Sequence, residues 1–93
     1  MSQKKALLSL SIDQRCMVIK DRIVEIIHES VPDTKGRLED NTPLFGLGIQ
    51  SINALEIKVD LEDELDILLE NTLLIEYPTV EKLSLFLAKE IEK

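Results

Sequence analysis

Apolar residues recur at helical spacing over Ile12, Cys16, Ile19, Ile23, Ile26 and Ile27, and this pattern predicts a first long helix. Pro32 ends it, because the residue before a proline is pushed out of the helical region. Across residues 32–50 the composition changes to Asp33, Gly36, Asp40, Asn41, Thr42, Pro43, Gly46 and Gly48, which favour turns and predict a long loop. Loops of that length are uncommon inside compact domains and are usually functional or carry order of their own. Leu44, Phe45, Leu47 and Ile49 are expected to pin it to the core. Residues 51 to about 69 contain no glycine or proline and predict a second long helix. Residues 71–76 predict a short one. Pro78 suits the first turn of a last helix, with Thr79 or Tyr77 near its start and Val80, Leu83, Leu87 and Ile91 on its buried face. No segment alternates with the period of two that a half-buried strand needs, and no internal repeat is visible. The expected fold is all-α, a bundle of three main helices plus one short helix. Residues 1–11 are expected to be a mobile, partly helical leader ahead of a domain at 12–93.

Two apolar stripes run along the second long helix. Ala54, Ile57, Leu61 and Leu65 lead on into Ile67, Leu68 and Leu69 and form the expected core face. Ile52, Leu55 and Val59 form a shorter stripe that stops where Glu62 takes the next turn, so it is expected to be half buried. The remaining face and the residues just beyond carry Glu56, Asp60, Glu62, Asp63, Glu64, Asp66 and Glu70 against Lys58 alone, which is most of the chain's net charge of −7. Such a run is ordinarily a solvated helix face. Carboxylates flanking an exposed apolar stripe also make a docking surface that steers basic partners through contacts that are individually weak and salt-sensitive.

Composition narrows the function classes. At 93 residues the chain has room for one domain, which buries roughly 60–65% of the surface its unfolded chain exposes and leaves little room for a deep catalytic cavity. Aromatics are only 3% of residues, so the core must be aliphatic. A sequence pI near 4.6 argues against nucleic acid, whose phosphates repel an acidic surface. One cysteine, Cys16, excludes an internal disulfide, and with one histidine, His28, no Cys/His zinc site can be assembled. Both lie on or near the core face of the first helix and are expected to have packing or surface roles. Lys4 and Lys5 before ALLSLSI have the order of a signal peptide, but the apolar run is short, is broken by Ser9 and Ser11 and ends at Asp13. The expectation is a cytoplasmic protein without a membrane span.

Other motifs fail on inspection. Gly46-Leu47-Gly48 lacks the preceding strand and the third glycine of a dinucleotide loop. Asp60, Glu62 and Glu64 imitate the first ligands of a calcium loop, but Leu65 stands where glycine is required and Asn71 where the bidentate glutamate belongs. No metal site is expected.

Ser51 has two readings. A serine at a helix start is ordinarily an N-cap, its oxygen accepting from a backbone N–H one turn on. Here a glycine-containing loop hands it out at a helix N-terminus, where free amides and the helix dipole stabilise a phosphodiester by about 0.3–1 kcal/mol. The stretch GIQSINALEI, with Leu44 and Gly46 before it and DLEDEL after it, resembles the modification site of acyl carrier proteins, commonly Gly-x-Asp-Ser-Leu or Gly-x-Asp-Ser-Ile. The tail ENTLLIEYPTVEKLSLFL resembles carrier domains of modular polyketide synthases, where a Tyr-Pro-Thr or His-Pro-Thr turn precedes the final helix. The resemblance covers residues 12 to about 91. One departure is Gln50, where acyl carriers usually have aspartate; it keeps hydrogen-bonding capacity without the charge and could weaken recognition by some transferases.

The resemblance implies a four-helix acyl-carrier-like bundle, a monomer without catalytic residues. A separate magnesium-dependent phosphopantetheinyl transferase would attach 4'-phosphopantetheine to Ser51, and the arm's thiol would hold acyl or polyketide intermediates as thioesters for acyltransferase, ketosynthase and other pathway enzymes. Gln50, Ile52, Leu55, Glu56, Val59, Asp60, Glu62 and Asp63 would form the docking surface. The competing reading is an unmodified, carrier-like helical adaptor that binds protein partners through the second long helix.

Overall fold

The computed structural model describes residues 4–93, and the first three residues of the expected leader lie outside them. The described residues form five α-helices: α1 (Lys4–Leu8), α2 (Ile12–Ser30), α3 (Ser51–Leu65), α4 (Leu73–Glu76) and α5 (Val80–Glu90). The loop between α2 and α3 contains two 3-10 turns, Pro32–Thr34 and Leu44–Leu47, and no strand forms among the described residues. The expected all-helical architecture is what the chain adopts.

α2 starts where Ser11 caps it, the side chain accepting from the Gln14 N–H at 3.2 Å, with Asp13 in the positive first turn. It ends at Ser30, one residue before the conformation that Pro32 imposes on Val31. Its buried residues Ile19, Ile23, Ile26 and Ile27 join Val80, Leu83, Leu87 and Ile91 of the α5 segment in one aliphatic core. Thr79 caps α5, its hydroxyl accepting from the Lys82 N–H at 3.2 Å. Pro78 therefore lies ahead of the cap instead of in the first turn, because the threonine hydroxyl can satisfy a free amide and proline has no hydrogen-bonding side chain.

α3 buries Ala54, Ile57, Leu61 and Leu65, the stripe that the spacing predicts. It ends at Leu65, well short of residue 69, because Asp66 takes a left-handed conformation (φ 54°) and donates its N–H to Glu62 O. Aspartate is one of the few residues that visits that region readily. The register of the core stripe is lost there, and Leu68 is 91% exposed instead of continuing it. Leu73 and Leu74 of α4 return the chain to the core.

The described part of the leader also departs from expectation. Leu7 is 3% exposed and belongs to the core, so residues 4–10 are docked and the folded unit begins before residue 12. The tie is Arg15, a buried guanidinium in the first turn of α2. Its Nε donates to Leu7 O at 3.1 Å, its Nη1 to Ala88 O at 2.9 Å and its Nη2 to Leu10 O at 3.3 Å, and Glu92 is 2.9 Å from Nη1. Leu7 and Ala88 lie in the last turns of α1 and α5, where carbonyls lack intrahelical donors, so one side chain satisfies the ends of two helices.

These ties also set direction. Arg15 near the start of α2 meets the end of α5, and Arg22 pairs with Glu64 near the end of α3. Both α3 and α5 thus run antiparallel to α2, and Ser51 lies at the pole of the bundle opposite Arg15.

Arg15→Met fills the aliphatic volume but leaves the Ala88 and Leu10 carbonyls without donors, Leu7 O keeping the Leu10 N–H at 3.1 Å, and is expected to lower stability by about 2–3 kcal/mol. In a domain this size that is a fall in Tm of roughly 10–20 °C. Glu92→Gln, at an exposed partner, should shift unfolding by less than about 1 kcal/mol. Equal midpoints for Arg15→Met and the parent in urea would show that water replaces the guanidinium.

Candidate functional site

The loop before α3 is held at both levels of its structure. Leu44 N–H donates to Pro78 O at 2.9 Å, and Glu81 N–H donates to Asp40 O at 3.0 Å, so the loop backbone is stitched to the start of α5. Asp40 also accepts from Lys20 Nζ at 2.9 Å. That hydrogen bond, more than any other cause, raises the pKa of Lys20 above its ordinary value. A raised lysine pKa means that the lysine's contribution to the tie is complete at neutral pH and is lost as pH rises through the folded-state value. Leu44, Leu47 and Ile49 are buried as expected. Phe45 is not: it is 41% exposed, because the 3-10 turn at 44–47 directs Leu44 and Leu47 inward and leaves the residue between them outside. Gly48 then takes φ 89°, a conformation that L side chains rarely adopt, and aims the chain into α3. Gly46 has no such need; a Cβ there would meet Pro43 Cβ at an ordinary 3.8 Å.

Ser51 is the first residue of α3 and is exposed. The N-cap position belongs to Gln50, in extended conformation, so the serine hydroxyl is not spent on capping. Gln50 N–H donates to Asn53 Oδ1 at 3.0 Å. The first helical hydrogen bond is Ala54 N–H to Gln50 O at 2.9 Å, so the amides of Ser51, Ile52 and Asn53 precede the ladder, at the positive end of the helix. A free hydroxyl, leading amides and a positive helix end suit a phosphodiester. The residues present fit a phosphate-linked prosthetic group.

Along α3 the expected docking residues separate into two groups. Gln50, Ile52, Leu55, Glu56, Val59, Asp60 and Asp63 are all exposed, with Ile52 at 64%. Leu55 and Val59, at 43% and 47% exposure, are half covered as expected, and Ile52 is more open. Glu62 departs from the set: its side chain is 19% exposed, its Oε2 accepts from Leu69 N–H at 2.8 Å and its Oε1 lies 3.5 Å from Lys58 Nζ. It faces the α3–α4 connection, since it lies one turn on from Lys58 on the side that Leu69 approaches. Glu64 likewise turns inward to Arg22. Ile75 of α4, 68% exposed, is an apolar surface residue that spacing does not distinguish from a core position. Cys16 is half buried against the core with Sγ 3.7 Å from Ser84 Oγ, and His28 is half buried in the last turn of α2. Among the described residues, no group of three or more His, Cys, Asp or Glu side chains is placed to hold a metal ion, and no helix is long and apolar enough to cross a membrane.

Comparison with known families matches residues 19–87, roughly three quarters of the chain, to the model described as "Phosphopantetheine attachment site". The chain belongs to that family. It is a carrier protein, and the family bears 4'-phosphopantetheine covalently and is non-catalytic. Carriers of this family work with a phosphopantetheinyl transferase and with biosynthetic enzymes. No curated protein and no solved structure matches the chain.

Asn53→Ala removes the acceptor that holds Gln50 N–H and is expected to destabilise the carrier by about 0.5–1.5 kcal/mol. Hydrogen exchange of the Gln50 amide should accelerate more than that of Ile57, in the middle of α3. Equal acceleration at both would mean global unfolding and no local role for the Asn53 contact.

Proposed function

We propose that the carrier holds acyl or polyketide intermediates as thioesters on a 4'-phosphopantetheine arm at Ser51 and presents them to acyltransferase, ketosynthase and other enzymes of a polyketide pathway. The observation that carries the reading is the placement of Ser51: an exposed hydroxyl at the first position of α3, relieved of capping by Gln50. When bound, the arm supplies a thiol that carries the cargo. The chain's own residues would bind and orient it: the leading amides of α3 would hold the phosphate, and the stitched loop keeps the hydroxyl at the pole of the bundle. The Tyr77-Pro78-Thr79 turn supports the polyketide assignment by its resemblance to carrier domains of polyketide synthases; in the fold Pro78 O holds Leu44 N–H and Thr79 caps α5.

The exposed face of α3 supports a role in partner choice. Ile52, Leu55 and Val59 offer apolar grip beside Ser51, with Glu56, Asp60 and Asp63 next to them. Carboxylates so placed accelerate encounter with basic surfaces more than they hold the complex. Brief docking suits a protein that visits several enzymes in turn.

Incubation with coenzyme A, magnesium and a broad-specificity transferase should add one phosphopantetheine mass to the parent and none to Ser51→Ala. No adduct on the parent with any transferase favours the unmodified adaptor instead, and an adduct on Ser51→Ala moves the attachment point away from Ser51.

Glu56→Lys combined with Asp60→Lys should slow modification by about tenfold or more at low ionic strength, with helicity unchanged and the difference shrinking as salt rises. Identical rates at low salt would remove the acidic face from partner recognition.

A further inference from the structure

Lys58 is the only basic residue on α3, and it lies on the same line of the helix as Ser51. Seven residues are close to two turns, so the two lie about 20° apart around the axis and roughly 10 Å apart along it. Glu62, one turn further, continues the line. The three define the edge of α3 that borders the connection to α4, because Lys58 Nζ donates to Asn71 Oδ1 at 3.0 Å and Glu62 Oε2 accepts from Leu69 N–H at 2.8 Å. Lys58 and Glu62 are 3.5 Å apart, with side chains only 14% and 19% exposed. The seam, with buried Leu61, Leu73 and Leu74 in the core behind it, is closed by an ion pair.

An arm on Ser51 is longer than two turns of helix and can lie along this edge. An ammonium has three N–H donors, of which one goes to Asn71 Oδ1 and a second faces the Glu62 carboxylate 3.5 Å away. The third is available to an oxygen on the cargo. A saturated chain entering between α3 and α4 meets the opposite situation: it has to separate Lys58 from Asn71 and Glu62 from Leu69 and leave two largely buried charges without partners.

We infer that Lys58, braced by Glu62 and Asn71, sets the polarity of the cargo, so that the carrier takes short acyl groups bearing keto, hydroxyl or carboxylate oxygens along the surface of α3 and does not draw long saturated chains into the bundle. The inference rests on the proposed role of Ser51. It makes Lys58 a specificity-determining residue on a helix whose other charged side chains are acidic.

The test loads the protein through a transferase with coenzyme A carrying acetyl, 3-oxobutanoyl or octanoyl groups, and mass spectrometry verifies each product. Wild-type acetyl and octanoyl forms should melt at the same temperature, with the amides of Leu61, Leu69 and Leu73 unmoved between them in NMR spectra. The 3-oxobutanoyl form should shift the Lys58 ammonium and Asn71 side-chain signals. In Lys58→Met the octanoyl form should melt about 4–8 °C above the acetyl form. An octanoyl group that raises the wild-type Tm and moves those core amides overturns the inference, and this readout does not depend on how any variant folds. Failure to add mass in every case refutes the Ser51 reading itself, and the inference with it.

Discussion

The pinning of the long loop to the start of α5 is the constraint on which the Ser51 end of the molecule depends. Ordering a residue costs about 1–2 kcal/mol of backbone entropy, so an irregular segment of this length must be held by something other than its own turns. Leu44, Leu47 and Ile49 each return roughly 1.5–3 kcal/mol by leaving water. The bonds from Leu44 N–H to Pro78 O and from Glu81 N–H to Asp40 O fix where those side chains enter. Without them the first turn of α3 would have no fixed approach, and a hydroxyl there would be one more position on a fluctuating loop.

The charges fall into an inner set and an outer set. Arg15, Arg22 and Lys58 each close a junction: α1 and α2 with α5, α2 with α3, and α3 with the connection to α4. Each meets backbone carbonyls, carboxylates or an amide oxygen at least partly shielded from water, where hydrogen bonds to ions are stronger than on the surface. Glu56, Asp60 and Asp63 remain outside, where charge acts at a distance and is screened by salt. An acidic helix can therefore be both a structural member and a field source, with different residues serving each purpose.

The parts legible in the sequence were those governed by period and by proline. The isoleucines of α2, the stripe Ala54, Ile57, Leu61 and Leu65, and the buried face of α5 all follow from helical spacing, and Pro32 marks the end of α2 within two residues. Ser51 stands out as a candidate through its glycine-containing loop and its resemblance to carrier motifs. What escaped depends on tertiary partners or on single backbone choices. Leu7 is held by a guanidinium from the next helix, which no local pattern records. Leu68 is thrown outward by one left-handed residue, Asp66. Glu62 looks like its acidic neighbours in the sequence and differs only because Lys58 and Leu69 come to it.

The antiparallel arrangement has a practical consequence for anyone who handles the molecule. Lys93 lies toward the pole that Arg15 occupies, since that side chain reaches the last turn of α5 and Glu92. Ser51 lies at the other pole, about a helix length away along α3. A dye, bead or affinity handle joined at Lys93 leaves from the blunt end of the bundle, and the hydroxyl-bearing end is presented outward, oriented like the head of a pin.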